Sequence, residues 1–282
     1  MSAIRVMLAG ILLVVVAVPT LFVFESMVAV NSVFLNRQTW YDVMATPAVY
    51  DAAVEQFSAK LTGSQRETLR AALPPAYVQS QLNRLVDYSF EILNGVNAPS
   101  PTFDVPAALA DVLRDDPALS FLRVVETENG GLRLSVDVSE RSLAQVRGLA
   151  TQYTIAMVIS AVFGMVFLVA VALLAADTTR TRLMWLGGGL MLPSFLVIIV
   201  GVAFNSTFMP LLTQRLTYDS RELEAASLAV MDGLAGTLPR LGTALTVAGG
   251  IPLAIGLILL VAGSVMRPRQ PDGIRQGRYP LA

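Results

Sequence analysis

Four long apolar runs, residues 6–29, 154–176, 183–204 and 241–262, constrain this chain more than any other feature. About 20 helical residues cross the roughly 30 Å of bilayer hydrocarbon, and each run reaches that length. Hydrocarbon offers no partner to backbone N–H and C=O groups, so an isolated apolar run of this kind crosses as a helix. The expected fold class is an all-α transmembrane bundle of four helices. The runs set apart a large hydrophilic segment between the first two and a shorter one between the last two. The domain organisation follows: 1–30 as transmembrane helix 1 and signal anchor, 31–148 as an extracytoplasmic domain, 149–265 as transmembrane helices 2 to 4 with an extracytoplasmic loop at 205–240, and 266–282 as a cytoplasmic tail.

Arginine placement orients the runs. The termini and the segment between runs two and three carry Arg5, Arg180, Arg182, Arg267, Arg269, Arg275 and Arg278 against Asp177 and Asp272. Between runs one and two, ten basic residues face fourteen acidic ones, and between runs three and four, three face four. The positive-inside rule then puts both termini in the cytoplasm and leaves 31–148 and 205–240 outside. Arg5 before an apolar stretch also fits a cleaved signal peptide. Residues 6–24 are long for its apolar region, however, and no small-x-small site closes it, so an uncleaved anchor in the cell membrane is expected.

The chain has no Cys and no His. Thiol nucleophiles, disulfides, imidazole bases and the usual zinc ligands are missing together. The single lysine, Lys60, follows no glycine-rich phosphate loop, and a net charge of −1 gives no reason to expect nucleic acid. No enzyme activity, catalytic residue, cofactor or metal site is expected. Asp115 and Asp116, and Glu126 and Glu128, form acidic pairs, but without the ligand spacing of a calcium loop they read as solvated turns.

The outboard segment reads as mainly helical, a small α+β domain with one β-hairpin. Thr46 and Pro47 look like an N-cap and first helical position, followed by Val49, Ala53, Phe57 and Leu61 on one face. Ser64 and Glu67 suggest a capping box opening a second short helix. In 75–93, Val78, Leu82, Leu85, Ser89 and Ile92 form a stripe, and Asn94 with Gly95 ends the helix. A short helix is expected after Pro106, and alternation in 121–126 and 132–138 around Asn129, Gly130 and Gly131 predicts the hairpin. Tyr41, Tyr50, Tyr77 and Tyr88 are expected at core edges and packing interfaces. No proline interrupts 139–176, so one helix is expected to run from the domain into the membrane.

Inside the runs, Glu25 is the one ionisable carboxylate. Its place late in the first run suggests hydration near the headgroups or a structural hydrogen bond, with cation binding or proton coupling as the functional alternative. Gly187, Gly188, Gly189 and Pro193 in the third run, and Gly249, Gly250, Pro252 and Gly256 in the fourth, are expected to serve close packing rather than the broken helices of a transporter. In the shorter outside segment, Asp219 or Ser220 is expected to cap a helix to about residue 234 that covers the bundle or touches the first domain.

Leu73, Pro74, Pro75, Ala76, Tyr77 and Val78, followed by Gln81, Leu85, Tyr88, Phe90 and Gly95, resemble a pattern in uncharacterised bacterial four-span membrane proteins with an extracytoplasmic helical domain. The resemblance covers about 61–95 and implies no chemistry. The topology also looks claudin-like, but without the signature Trp and paired Cys of that family's large loop. An integral membrane structural or interaction protein is therefore expected, an accessory or assembly component acting through its extracytoplasmic domain. The alternative is an envelope sensor or small-solute transport component. Membrane lipids, an envelope or membrane protein and a second copy of the chain are the expected partners.

Overall fold

The computed structural model describes residues 3–58, 63, 67, 70–71, 73–96, 98–105, 122–126, 132–136, 140–210 and 225–266. The chain is mostly helical, and four helices are long and apolar enough to cross a membrane: Ala3–Phe34, Arg147–Ala175, Thr179–Phe208 and Ala235–Val265. Their 29 to 32 residues reach about 45 Å, more than the hydrocarbon thickness. In chain order the helices are α1 (Ala3–Leu12), joined by a π-helical turn (Leu13–Ala17) to α2 (Val18–Phe34), then α3 (Arg37–Met44), α4 (Pro47–Ser58) and α5 (Pro75–Leu93). After three short strands come α6 (Glu140–Ala175), α7 (Thr179–Ala203) with a terminal π turn (Phe204–Phe208), and α8 (Ala225–Val265). The strands β1 (Thr102–Val105), β2 (Leu122–Glu126) and β3 (Leu132–Val136) lie in the order β1-β3-β2 with both pairs antiparallel.

Several expectations fall outside the described residues: the turn at 129–131, the helix after Pro106, the acidic pair at 115–116, most of the segment from Ser64 to Ala72, the cap at 219 or 220 and the tail beyond Met266.

The chain divides into two compact units. The first comprises Met1–Glu25, Ile159–Ile198 and Ala248–Ala282. Its core is a stripe at four-residue spacing, Ala9, Leu13, Ala17 and Leu21, set against Leu168, Val171 and Ala175 of α6. That spacing puts all four residues on one side of the first span, where small and large side chains alternate and interdigitate. α7 and α8 meet through glycine: a Cβ on Gly187 would lie 2.5 Å from the Gly256 carbonyl oxygen, and one on Gly256 would lie 2.7 Å from that of Gly187. Each helix thus uses a missing side chain to admit the other's backbone.

The second unit comprises Ser26–Val158 and Ile199–Val247. Asn36 caps α3 by accepting from the Gln38 N–H at 3.0 Å, and the Trp40 indole donates to the Phe34 carbonyl at 2.7 Å. Together they fix the corner between α2 and α3. Pro47 begins α4 as expected, while the Thr46 hydroxyl donates backwards to the Val43 carbonyl at 2.8 Å. On α5 the buried residues are Val86, Tyr88, Phe90 and Ile92, so Ile92 of the expected stripe is buried, whereas Ser89 is exposed and Tyr88 and Phe90 are buried outside it. The helix has neighbours on more than one side, α3 and α4, and buries more than one face.

α5 ends as Asn94 and Gly95 suggested. Gly95 has φ +79°, its N–H reaches the Ile92 carbonyl and the Val96 N–H reaches that of Glu91, both at 2.9 Å. This is a Schellman cap, in which a residue with a Cβ would be strained. Gly95→Ala is expected to lower stability by about 1 kcal/mol, read as a small fall in melting temperature without loss of folded protein.

Two boundaries change. α6 starts at Glu140 and runs unbroken to Ala175, so the expected membrane entry at 149 lies within a helix and the continuous helix of 139–176 is present. The expected loop at 205–240 is helical at both ends: the third span continues through the π turn at Phe204–Phe208, and residues 225–240 are the beginning of the 41-residue α8. Helical hydrogen bonding continues through Asn205, Ser206 and Thr207, and α8 admits Pro239, because polar residues and proline are tolerated where neighbouring helices support the backbone.

Candidate functional site

In the first unit the most distinctive group is Glu25. The helix of the first span continues to Phe34, nine residues or about 14 Å beyond Glu25. It is 2 % exposed. Expected hydration is therefore replaced by the other alternative, a structural hydrogen bond. Ser194 on α7, fully buried next to Pro193, places its Oγ 2.9 Å from Glu25 Oε1 and 2.8 Å from the Leu190 carbonyl. A hydroxyl has one proton to give, so it donates to one of these two acceptors at a time. Glu25 Oε2 has no hydrogen-bond partner among the described residues.

One carboxyl and one hydroxyl are fewer oxygens than a hard cation takes. Among the described residues no group of three or more carboxylates converges. The arrangement supplies a hydrogen bond to a buried carboxyl, where an unpartnered polar oxygen is costly.

In the second unit, charged residues tie together segments far apart in sequence. Asp87 of α5 accepts from the Tyr41 hydroxyl and pairs with Arg37 at 3.4 Å, and the Arg37 guanidinium lies 5.7 Å from the centre of the Phe90 ring. Asp42 accepts from Gln38 at 3.0 Å and from Arg240 of α8 at 2.6 Å, a bridge across 198 positions. A Cβ on Gly233 would lie 2.9 Å from Val43 Cγ1, so α8 approaches α3 closely there as well. The Tyr50 hydroxyl reaches the Leu73 carbonyl at 3.0 Å, and Tyr88 is buried. These are packing and tethering roles, as expected for the tyrosines.

The bond to Asp87, then burial and the carboxylate charge, push the Tyr41 phenol above its usual range. The hydrogen bonds from Arg240 and then Gln38 hold the Asp42 carboxyl below its ordinary value. The folded state therefore binds a proton at Asp42 less readily than the unfolded chain. The stabilisation is complete above the unfolded value, about pH 4, and is lost as pH falls through the lower folded value. Arg240→Gln is expected to cost no more than about 1 kcal/mol at neutral pH, because the pair is solvated. The difference from the parent should shrink progressively in melts recorded at decreasing pH below about 4.

A cavity of about 420 Å³ in the same unit is lined by Val202, Asn205, Ser206, Thr243 and Thr246. The Thr243 and Thr246 hydroxyls already donate to the Pro239 and Gly242 carbonyls, which leaves no charge and little donor capacity for a ligand.

No family model, curated relative or solved structure matches the chain. Residue chemistry and geometry carry the assignment. Sequence reasoning singled out Glu25 and Pro193 but not Ser194, whose polar side chain beside Pro193 in an apolar helix was the available signal. It also missed the links Asp42 to Arg240 and Tyr41 to Asp87, which have no local sequence signature.

Proposed function

We propose that the chain is an integral membrane structural or interaction protein, an accessory or assembly component that acts through an extracytoplasmic domain at 31–148. Both termini face the cytoplasm in this reading. In this reading the domain is mainly helical with a small β-hairpin, and its 61–95 pattern resembles that of bacterial four-span proteins with an extracytoplasmic helical domain. The observation that carries the proposal is the tethering of the second unit: α3 is held to α8 by Asp42 and Arg240, the Tyr153 hydroxyl of α6 donates to the Met27 carbonyl at 2.6 Å, and Arg147 reaches the Val96 carbonyl. Three ties of this kind suit a braced platform that presents a surface to a partner.

The test is gentle extraction of the full chain with photo-crosslinkers at the exposed positions Gln79 and Arg84 of α5. A stoichiometric membrane-protein partner, or a second copy, crosslinked at these positions and lost on Arg84→Glu supports the proposal. A monodisperse monomer without crosslinks under several extraction conditions overturns it.

A second reading, an envelope sensor or small-solute transport component, is favoured by Glu25 with its unpartnered oxygen. Proton or solute flux into vesicles that depends on the protein and is abolished in Glu25→Gln supports that reading. Equal flux in empty and protein-containing vesicles eliminates transport.

A further inference from the structure

We propose that the first unit binds one anionic phospholipid, with an acyl chain in an apolar groove along α7 and the phosphate at Arg180. The groove encloses about 600 Å³ and is lined by residues that include Leu13 of the π turn, Met184, Trp185 and Gly188 of α7, and Leu253 and Leu260 of α8. Met191 and Phe195 continue the lining on α7. Spacings of four, three and four from Met184 to Gly188, Met191 and Phe195 define a single helix face. Arg180 stands four residues before Met184, one turn further along that face.

The length of the groove fits one leaflet. From Met184 to Phe195 the helix rises about 16 Å, half of the roughly 30 Å hydrocarbon layer. The groove starts within a turn and a half of the first residue of the span, Thr179, so it opens towards one end of the span. Trp185 sits at this level, where an apolar ring with one N–H donor is favoured.

The groove exists because of how three consecutive glycines are placed. Gly187 faces the Gly256 backbone and Gly189 faces Leu168 and Leu13, while a Cβ on Gly188 would meet nothing within 4 Å. Two of them therefore close helix contacts, and the middle one leaves a floor without a side chain.

Charge selects the occupant. Arg180 and Arg182 lie in the first turn of α7, just before the lining residue Met184, with Asp177 as the nearby acid in sequence. The Arg182 Nε is engaged by the Ala176 carbonyl at 3.0 Å, which orients its guanidinium at the end of the span. A guanidinium binds a phosphate through two parallel hydrogen bonds. A second copy of the chain in the same orientation would instead bring its own arginines to the same depth, and like charges would repel.

The test uses the full-length protein, stripped of lipid in detergent, with phosphatidylglycerol or phosphatidylcholine added back and bound lipid counted by native mass spectrometry. One phosphatidylglycerol per chain is expected, preferred about fivefold over phosphatidylcholine, the ratio one arginine supplies at a membrane surface. Arg180→Gln is expected to remove the preference while leaving the protein folded. Gly188→Leu fills the groove and is expected to abolish retention of both lipids, with an unchanged elution profile as the check on folding. Equal binding of the two lipids by the parent, retention unaffected by Gly188→Leu, or a dimer that Gly188→Leu dissociates overturns the proposal. If Gly188→Leu does not fold, the Arg180→Gln comparison decides: an unchanged preference overturns the headgroup site.

Discussion

Gly187→Ala and Gly256→Ala are each expected to cost up to about 3 kcal/mol, a large share of the stability of an ordinary domain, about 5–15 kcal/mol, and to lower the melting temperature clearly. The added Cβ of Gly187→Ala would lie 2.5 Å from the Gly256 carbonyl oxygen and 2.9 Å from the Leu260 nitrogen. Both are backbone atoms of a helix and cannot rotate aside, so α7 and α8 must separate and the contacts beside them are lost. Gly188→Ala, in the same triplet, provides the contrast. Its Cβ would meet nothing within 4 Å, and the higher helix propensity of alanine predicts a gain of up to about 1 kcal/mol. Thermal melts in detergent, read as the monodisperse fraction after heating, separate the cases. Equal melting temperatures for the three variants would show that the α7–α8 approach is looser than described.

Ser194→Ala has the second largest expected effect. It removes the donor to Glu25 Oε1 and leaves both carboxyl oxygens without a hydrogen-bond partner in a buried site. The expected loss is about 1–2 kcal/mol. Glu25→Leu removes the polar group together with its need for a partner and is expected to be neutral or stabilising, because an apolar side chain replaces a poorly satisfied one. In the double variant Ser194→Ala with Glu25→Leu, most of the Ser194→Ala loss should disappear. A double-mutant cycle on melting free energies measures this coupling. Additive losses would mean that the two side chains do not interact.

Features whose cause is local were legible in the sequence. The four spans follow from apolar length, since a run of that kind has few states in hydrocarbon. The end of α5 at Asn94 and Gly95 was legible because a glycine with positive φ after an apolar helix is a strong stop. The unbroken α6 could be read from the lack of proline between 139 and 176.

Features that depend on neighbours were not legible. On α5 Ile92 is buried as the stripe suggested, but Ser89 is exposed while Tyr88 and Phe90 outside it are buried, because the helix packs against both α3 and α4. The helix expected up to about residue 234 in the 205–240 segment is present from Ala225, but its continuation through Pro239 into the last span was not legible, because support from neighbouring helices keeps that backbone helical. Glu25 looked hydrated because its burial depends on Ser194 and the helices packed around it, which the first run alone does not show.

By itself the sequence determined that this chain carries four membrane-length helices and neither of the side chains, Cys or His, on which much site chemistry depends. Length and composition suffice for that, since they set which groups can exist in hydrocarbon. Only the tertiary structure decided that Ser194 meets Glu25, that Arg240 meets Asp42, and that Gly187 meets Gly256 while Gly188 opens onto a groove. Those pairings join residues 69 to 198 positions apart. They are set by the rotation and depth at which one helix face meets another, which no local spacing in the chain encodes.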